Sequence, residues 1–416
     1  MLGQIIAEAD ATGYVCGITG NHLHFQVQET PKDRNHWYTQ SIPISFADKD
    51  ALTKEPDGIP KEGNKYVSDN TFAKSVSCVS KIAYTAPIEP GGYSGIWFVN
   101  EDGTGKELFR ENAHSPAWSP DGKRIAYVRY LLDEEERFCI GEEIRVATSD
   151  GLSDQMVFTT EKLSETESPM PVLLHWAPDG KGIFFQFALW QTDAGVGSVL
   201  FLDLSTLQIK KLDLPCSVGL LGRSYDIRGS DEKIVYIKEQ KEGIGKLHDT
   251  LWGETYDKYC CQSWIMVADK DGKSQHPVFG PIERELAFEI DTEYGRGYFI
   301  PSTLEYPRWS SDGNKIAFLL IEYEIESVED YPDYPIWKEN VLATIDIDDY
   351  KGGNFKVLYQ TNESYIRDIT WSPDGKKIAI VDKWGWILII NSDGLGNPQR
   401  LVEGYEPSWA LVPINP

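Results

Sequence analysis

One short segment recurs along this chain of 416 residues. Each copy places a tryptophan just before an Asp-Gly turn and a β-branched or aromatic run just after it; the clearest copies are 115–127, 174–184, 306–318 and 369–380. A weaker copy lies at 228–236, and a shortened one, Glu406-Pro-Ser-Trp409, stands near the end. Repetition of this kind predicts an array of similar structural units, not a single irregular domain.

The repeat has the chemistry of a β-hairpin. In Pro-Asp-Gly, proline presets φ, the aspartate side chain binds nearby backbone N–H groups, and glycine accepts a positive φ. Further strand-like runs follow, such as 386–390, then a second Asp-Gly turn and a short fourth strand, such as 356–359. Four antiparallel strands in about 40 to 60 residues are typical of one blade of a β-propeller.

The recurring tryptophans have a structural interpretation. They are Trp118, Trp176, Trp309 and Trp371. Because they recur together with the turn, we expect them to pack between neighbouring blades and not to stack on a ligand.

The Pro-x-Trp-Ser-Pro-Asp-Gly-Lys-x-Ile-Ala-Phe pattern resembles the TolB-type, WD-repeat-like propeller repeat over roughly residues 66–416. We place blades near 71–110, 113–162, 170–214, 218–281, 304–360 and 365–402. The first of these lacks the tryptophan strand, which residues 405–411 can supply. The expected fold is therefore an all-β, six-bladed β-propeller over 71–416, closed by the C-terminal strand; a seven-bladed ring that includes N-terminal residues is the alternative.

Composition limits the partners. Lys and Arg number 40 against 65 Asp and Glu, a net charge of −25, which argues against nucleic acid because phosphate binding needs clustered cations. The longest apolar runs are too short for a membrane span. Four insertions, at 133–143, 244–262, 281–301 and 322–337, are interpreted as loops on the propeller faces. The last is strongly acidic, yet without Asp-x-Asp-x-Asp-Gly a solvated surface is favoured over a Ca²⁺ site.

Residues 1–46 do not follow the repeat, and they contain His22-Leu-His24. In a strand, residues two apart face the same side, so the two imidazoles could serve one metal ion. A bare His-x-His is weak evidence by itself, because core packing explains it equally well. Residues 47–70 are polar and contain Pro and Gly, which is typical of a linker.

The context of these histidines, Gly20-Asn-His-Leu-His-Phe-Gln-Val27, resembles the closing motif of lysostaphin-type (LytM) zinc metallopeptidases, which cut bacterial cell-wall cross-links. The resemblance implies that His24 is a zinc ligand and His22 the catalytic histidine. That family also needs an earlier His-x-x-x-Asp pair, which residues 1–46 do not supply. His175 and Asp179 have this spacing, but they belong to a repeat turn. We therefore expect 1–46 to be an incomplete C-terminal piece of such a domain, with zinc bound only if the domain were complete.

Two functions follow. The first is a binding propeller with a protein or peptide ligand, and with peptidoglycan as a further possibility; the second is a cell-wall zinc endopeptidase of which this chain holds part. A propeller that regulates a serine peptidase lacks support, because no Gly-x-Ser-x-Gly elbow is present. Both resemblances point to a compartment outside the bacterial cytoplasm, although the N-terminus has no signal-peptide pattern.

The incomplete motif predicts the result of a zinc titration. We expect no stoichiometric Zn²⁺ binding with a Kd below about 1 μM, because three protein ligands cannot be assembled from 1–46. Isothermal titration calorimetry of the whole chain measures this. Tight one-to-one binding that is lost in His24→Ala would show that the site is complete.

Overall fold

The computed structural model describes the chain in segments. The described residues are 28–29, 40–41, 77–133, 139–160, 170–188, 199–212, 225–229, 231–248, 255–292, 295–299, 302–328, 331–348, 350–362 and 366–414. All regular structure in them is β, and they contain no helix that could cross a membrane.

The chain divides into two compact units. Residues 1–78 and 413–416 belong to the first unit, in which β1 (Gln28–Glu29) and β2 (Gln40–Ser41) form an antiparallel pair. The candidate zinc residues His22 and His24 lie outside the described residues, as do most of 1–46 and the whole 47–70 segment.

The second unit, residues 79–412, contains six antiparallel sheets that follow one another along the chain. The first three blades are built as follows: blade 1 from β27 (Tyr405–Pro413), β3 (Cys78–Pro87), β4 (Ser94–Asn100) and β5 (Glu107–Arg110); blade 2 from β6 (Ala113–Trp118), β7 (Arg124–Leu132), β8 (Cys139–Thr148) and β9 (Asp154–Thr159); blade 3 from β10 (Met170–Trp176), β11 (Gly182–Ala188), β12 (Leu200–Asp203) and β13 (Ile209–Lys211).

The remaining blades complete the set. They are blade 4 with β14 (Tyr225–Ile227), β15 (Ile234–His248), β16 (Thr255–Ala268), β17 (His276–Thr292) and β18 (Gly295–Phe299); blade 5 with β19 (Ser302–Trp309), β20 (Lys315–Val328), β21 (Tyr331–Asp348) and β22 (Lys351–Thr361); and blade 6 with β23 (Arg367–Trp371), β24 (Lys377–Val381), β25 (Trp386–Asn391) and β26 (Gln399–Glu403). The six-bladed prediction is confirmed, and the seven-bladed alternative is not what the chain forms.

The ring closes through the last strand. The strand order of blade 1 is β27-β3-β4-β5, so residues near the C-terminus supply the inner strand of the first sheet, as predicted. Six apolar clusters join successive blades, and one of them packs Val381 and Ile387 of blade 6 against Tyr84 and Trp409 of blade 1. Closure leaves no sheet face at either end of the array uncovered.

The recurring tryptophans lie between blades, as their repetition predicts. Trp118, Trp176, Trp309 and Trp371 are 5–7% exposed. Trp176 packs among Ala126 and Val128 of blade 2, and its indole N–H donates to the Ala117 carbonyl at 2.9 Å. In blade 4, whose copy is the weak one, Ile227 takes the tryptophan position and is also buried.

The prediction that the insertions form loops was wrong. The described parts of 244–262, 281–301 and 322–337 are not loops, since they extend β15 to β18, β20 and β21 into long hairpins, and blade 4 gains a fifth strand. Their alternation of aromatic or β-branched residues with polar ones suits strands, and pairing with the blade satisfies their backbone groups. β15 and β20 end, and β16 and β21 begin, at the end of the blade where each inner strand begins, because adjacent strands run antiparallel.

A left-handed residue precedes each inner-strand tryptophan by three positions. Five inner strands have a positive φ there, at Ser115, Leu173, Tyr306, Asp368 and Glu406, with values of 51–57°. Where the pairing of these strands is given, its register shifts at the same point. None of the five is glycine, so the surrounding sheet must stabilise a conformation that L-residues seldom adopt.

Two equivalent turn glycines test the packing of the closing strand. Gly122 and Gly375 have similar φ values, +66° and +69°, but a Cβ at Gly122 would lie 2.0 Å from the Leu411 carbonyl oxygen of β27, whereas none would be met at Gly375 within 4 Å. We expect Gly375→Ala to cost about 1–2 kcal/mol of unfolding free energy through left-handed strain, and Gly122→Ala clearly more. Urea unfolding of both variants measures the difference. Equal losses of unfolding free energy would contradict the described packing of β27 against the turn at Gly122.

Candidate functional site

Two positions of the inner strands carry different kinds of side chain in different blades. They are the fourth and third residues before the tryptophan. In blades 6, 1 and 2 they hold the pairs Arg367-Asp368, Tyr405-Glu406 and His114-Ser115; in blades 3 and 5 they hold Val172-Leu173 and Glu305-Tyr306. The backbone is left-handed at the third position in all five strands, so the fold itself does not demand polar side chains there. Blade 3 is the apolar exception, and the pairs of blades 6, 1 and 2 are the polar ones that meet at a single place.

These side chains line a cavity of about 360 Å³ where the inner strands begin. We call it the mouth cavity, and its lining residues are Thr85, His114, Tyr130, Arg367, Asp368, Tyr405 and Glu406. Thr85 and Tyr130 come from the second strands of blades 1 and 2. The cavity therefore opens at the end of the blades that also carries the long hairpins.

The Glu406 carboxylate holds blade 1 to blade 2. Its Oε2 accepts from the Ser115 backbone N–H at 2.8 Å and from the Thr85 hydroxyl at 2.9 Å, and its Oε1 lies 3.0 Å from the Ser115 hydroxyl. In turn, the Glu406 backbone N–H donates to Asp368 Oδ2 at 3.1 Å, which ties blade 6 to blade 1. Hydrogen bonds to a carboxylate are among the stronger ones, so these contacts order this part of the wall.

His114 is held at both ring nitrogens. Its Nδ1 is 3.1 Å from the Ser115 hydroxyl, and its Nε2 is 3.3 Å from Glu142 Oε1. Glu142 is 2% exposed, and its second carboxylate oxygen has no hydrogen-bond partner among the described residues. With both nitrogens engaged, His114 presents a ring face to the cavity and not a free base or metal ligand.

Tyr130 contributes a hydrogen-bond donor. Burial raises the pKa of its phenol well above the ordinary value, and the negative charges of Glu406 and Glu142 raise it further. Tyr130 therefore stays protonated at neutral pH and can donate, but it cannot act as a phenolate base. Its ring lies 4.7 Å from the His114 ring and 5.2 Å from that of Tyr93, measured between centroids.

Arg367 carries a positive charge that forms no ion pair with a described residue of the site. Its guanidinium carbon lies 4.4 Å from the centroid of the Tyr405 ring, a cation–π distance. Its Nε is shielded from solvent and has no hydrogen-bond partner, and no ion pair joins its guanidinium to any described residue. Leaving a buried donor without a hydrogen-bond partner costs free energy. We therefore interpret the Arg367 guanidinium as a group that binds a ligand.

A second polar chain lies on the inner strands of blades 3, 4 and 5. His175 Nδ1 is 3.2 Å from Asp226 Oδ1, and Asp226 Oδ2 accepts from the Trp309 backbone N–H at 2.7 Å. Burial by itself would raise the pKa of Asp226, but the hydrogen bond and charge of His175, the charge of Arg308 and the Trp309 N–H hold it below its ordinary range. His175 thus pairs with Asp226, whereas Asp179 binds the Lys181 backbone N–H in its own turn.

No group of three or more His, Cys, Asp or Glu side chains within the described ranges is arranged to hold a metal ion. The zinc expectation concerns His22 and His24, so this finding does not bear on it.

Comparison with known proteins adds little beyond the fold. No known protein family matches the chain. An oligogalacturonide lyase of Pectobacterium atrosepticum is 40% identical over 48 residues, 10% of this chain, and the match spans 12% of that protein's length. Similar solved structures include hydrazine synthase of Kuenenia stuttgartiensis, with 13% identity, a TM-score of 0.47 and coverage of 82% of this chain and 47% of that one. The β-propeller domain of the Trilobed protease of Pyrococcus furiosus has 15% identity, a TM-score of 0.40 and coverage of 79% and 97%. Likenesses at this level concern the fold alone.

The mouth cavity was not predicted from the sequence. Part of its signal is present, because aligning the repeats on their tryptophans shows that these positions hold polar residues in every blade but blade 3. Recognising the site also requires knowing that β27 brings Tyr405 and Glu406 beside residues 114 and 115.

The buried Asp226 predicts a pH dependence of stability. A depressed folded pKa gives stabilisation that is present above the unfolded value of about 3.9 and is lost as pH falls through the folded value. We expect Asp226→Asn to be less stable than the wild type at pH 7 by about 1–3 kcal/mol, and the gap to narrow between about pH 5 and pH 2. Urea unfolding across this range measures it, with the exposed Glu403→Gln as the control. A gap that stays constant with pH would contradict the assigned ion pair.

Proposed function

We propose that this chain is a binding propeller that captures a protein or peptide ligand at the mouth cavity of blades 6, 1 and 2. The observation that supports this most is convergence: Arg, Asp, Tyr, Glu and His side chains from three adjacent blades line one cavity, at positions that blade 3 fills with Val and Leu. Convergent polar groups in a concave site are the general mark of ligand recognition.

The chemistry of the cavity favours binding over catalysis. His114 is engaged at both nitrogens, Tyr130 stays protonated, and Glu406 is held by Ser115 and Thr85. None of these groups is poised as a nucleophile with its own base. The same groups do offer donors, acceptors and ring faces to a ligand that lies against them.

A cell-wall zinc endopeptidase stays as the second candidate. It rests on the Gly20–Val27 segment, and the zinc titration described above tests it. The likeness to oligogalacturonide lyase extends over a stretch about as long as one blade, which a shared propeller repeat accounts for, so we base no activity on it.

Site-specific crosslinking tests the proposed binding site. Peptides would first be selected from a random display library on the immobilised wild-type chain. The photoreactive amino acid benzoyl-phenylalanine would then replace either Tyr130, in the cavity, or Leu207, which is 46% exposed in a turn at the opposite end of blade 3. We expect the selected peptides to crosslink through position 130 and not through 207, detected by mass spectrometry. Crosslinking through 207 alone, or through neither position, would refute the proposal.

A further inference from the structure

We infer that the mouth cavity captures the free C-terminal carboxylate of a polypeptide, with the Arg367 guanidinium as its receptor. This inference rests on the proposed function and specifies its ligand. The charged groups of the cavity differ in whether they already have hydrogen-bond partners. Glu406 accepts from Ser115 and Thr85, and Asp368 accepts from the Glu406 N–H, whereas the Arg367 guanidinium has no hydrogen-bonded partner among the described residues.

Arg367 is held in place without being neutralised. Its guanidinium lies against the Tyr405 ring, and the 382–385 turn supports that ring from outside: a Cβ at Gly385 would lie 2.6 Å from the Tyr405 hydroxyl. Gly385 is also bound through its carbonyl to the Gly404 N–H at 2.7 Å. A planar fork fixed on an aromatic ring, with its donors unpaired, suits bidentate binding of a carboxylate.

The neighbouring carboxylates define what else the ligand must carry. Asp368 and Glu406 line the same cavity as Arg367, so a simple anion would be repelled by them as well as attracted by the guanidinium. A terminal residue of a polypeptide carries its own backbone N–H close to its carboxylate. It can therefore place the carboxylate on Arg367 and donate the N–H to a cavity carboxylate, which an internal peptide segment without an acidic side chain, or an anion without a donor, cannot do.

The size of the cavity agrees with an end group. Its volume of about 360 Å³ lies near the lower end for ligand sites and is enough for the end group of a chain. Tyr130 supplies a hydroxyl donor for the rest of the terminal residue, whereas the Thr85 hydroxyl is engaged by Glu406 and by the Ser115 backbone N–H. The capture of chain ends by fixed donors is a known mode of peptide recognition.

Matched peptide pools test this inference. Fluorescein-labelled pools with two randomised final positions would be prepared with a free C-terminal carboxylate or as the C-terminal amide, and their binding measured by fluorescence polarisation. We expect the carboxylate pool to bind at least about tenfold more tightly, since bonds between charged groups are strong ones. Arg367→Gln should abolish the difference. Arg367→Lys, which keeps the charge but loses the fork, should reduce it.

A second stacked arginine of the same blade gives the control. Arg400 lies 5.4 Å from the centroid of the Trp386 ring on β25–β26 and does not line the cavity, so Arg400→Gln should leave the tenfold preference intact. Loss of the preference in this variant would refute the assignment to Arg367.

The remaining outcomes separate the inference from the proposed function. Equal binding of carboxylate and amide pools, with crosslinking still through position 130, would refute terminal capture and leave the binding site standing. Amidated pools with glutamate at the final positions that bind as tightly as the carboxylate pool would assign Arg367 to a side-chain carboxylate instead. Trigalacturonate that binds in an Arg367-dependent manner while both pools fail would assign it to an acidic saccharide. Absence of binding by every probe, together with no crosslink through 130, would overturn both proposals.

Discussion

The ring depends on a large apolar side chain packed between each pair of neighbouring blades, which is an indole at five of the six interfaces. A buried tryptophan removes about 150–250 Å² from water, worth about 4–6 kcal/mol of transfer free energy at the usual coefficient. Five of the six inner strands carry such an indole, and each is 5–7% exposed. The sixth, in blade 4, uses Ile227 instead. Each wedge belongs to one blade and packs on the preceding one, and the closing strand adds the sixth interface, between blades 6 and 1.

The same strand that closes the ring also builds the candidate site. β27 supplies Tyr405 and Glu406, which lie between residues from blade 6 and from blade 2. The Glu406 carboxylate accepts from the Ser115 N–H and the Glu406 backbone N–H donates to Asp368, so the wall of the cavity is a set of contacts between blades. Closure and site geometry are therefore coupled. A ligand that contacts Tyr405 and Arg367 would favour the closed ring, since it binds residues that only closure brings together.

Much of the fold could be predicted from the sequence, because the period of a repeat and the residues of its turns can be recognised directly. The tryptophan, the Asp-Gly turn and the following β-branched run indicated each blade, and the spare Trp409 strand indicated how the ring closes. The long hairpins of blades 4 and 5 were interpreted as loops, because these segments interrupt the repeat and are rich in charged residues. The alternation of Tyr323 and Ile325 with glutamates was the available signal for a strand. The candidate site was missed because its residues, such as His114 and Glu406, lie 292 positions apart in the chain and meet only when the last strand joins the first sheet.

Native-state amide hydrogen exchange of the closing strand tests the central claim most directly, that β27 completes both the ring and the cavity. The account predicts that the peptide covering 405–413 exchanges as slowly as the peptide covering 113–118 of blade 2, to which Glu406 and Ser408 are hydrogen-bonded. Fast exchange of 405–413 while 113–118 stays protected would show that the last strand is not a lasting part of the first blade, and would contradict the account.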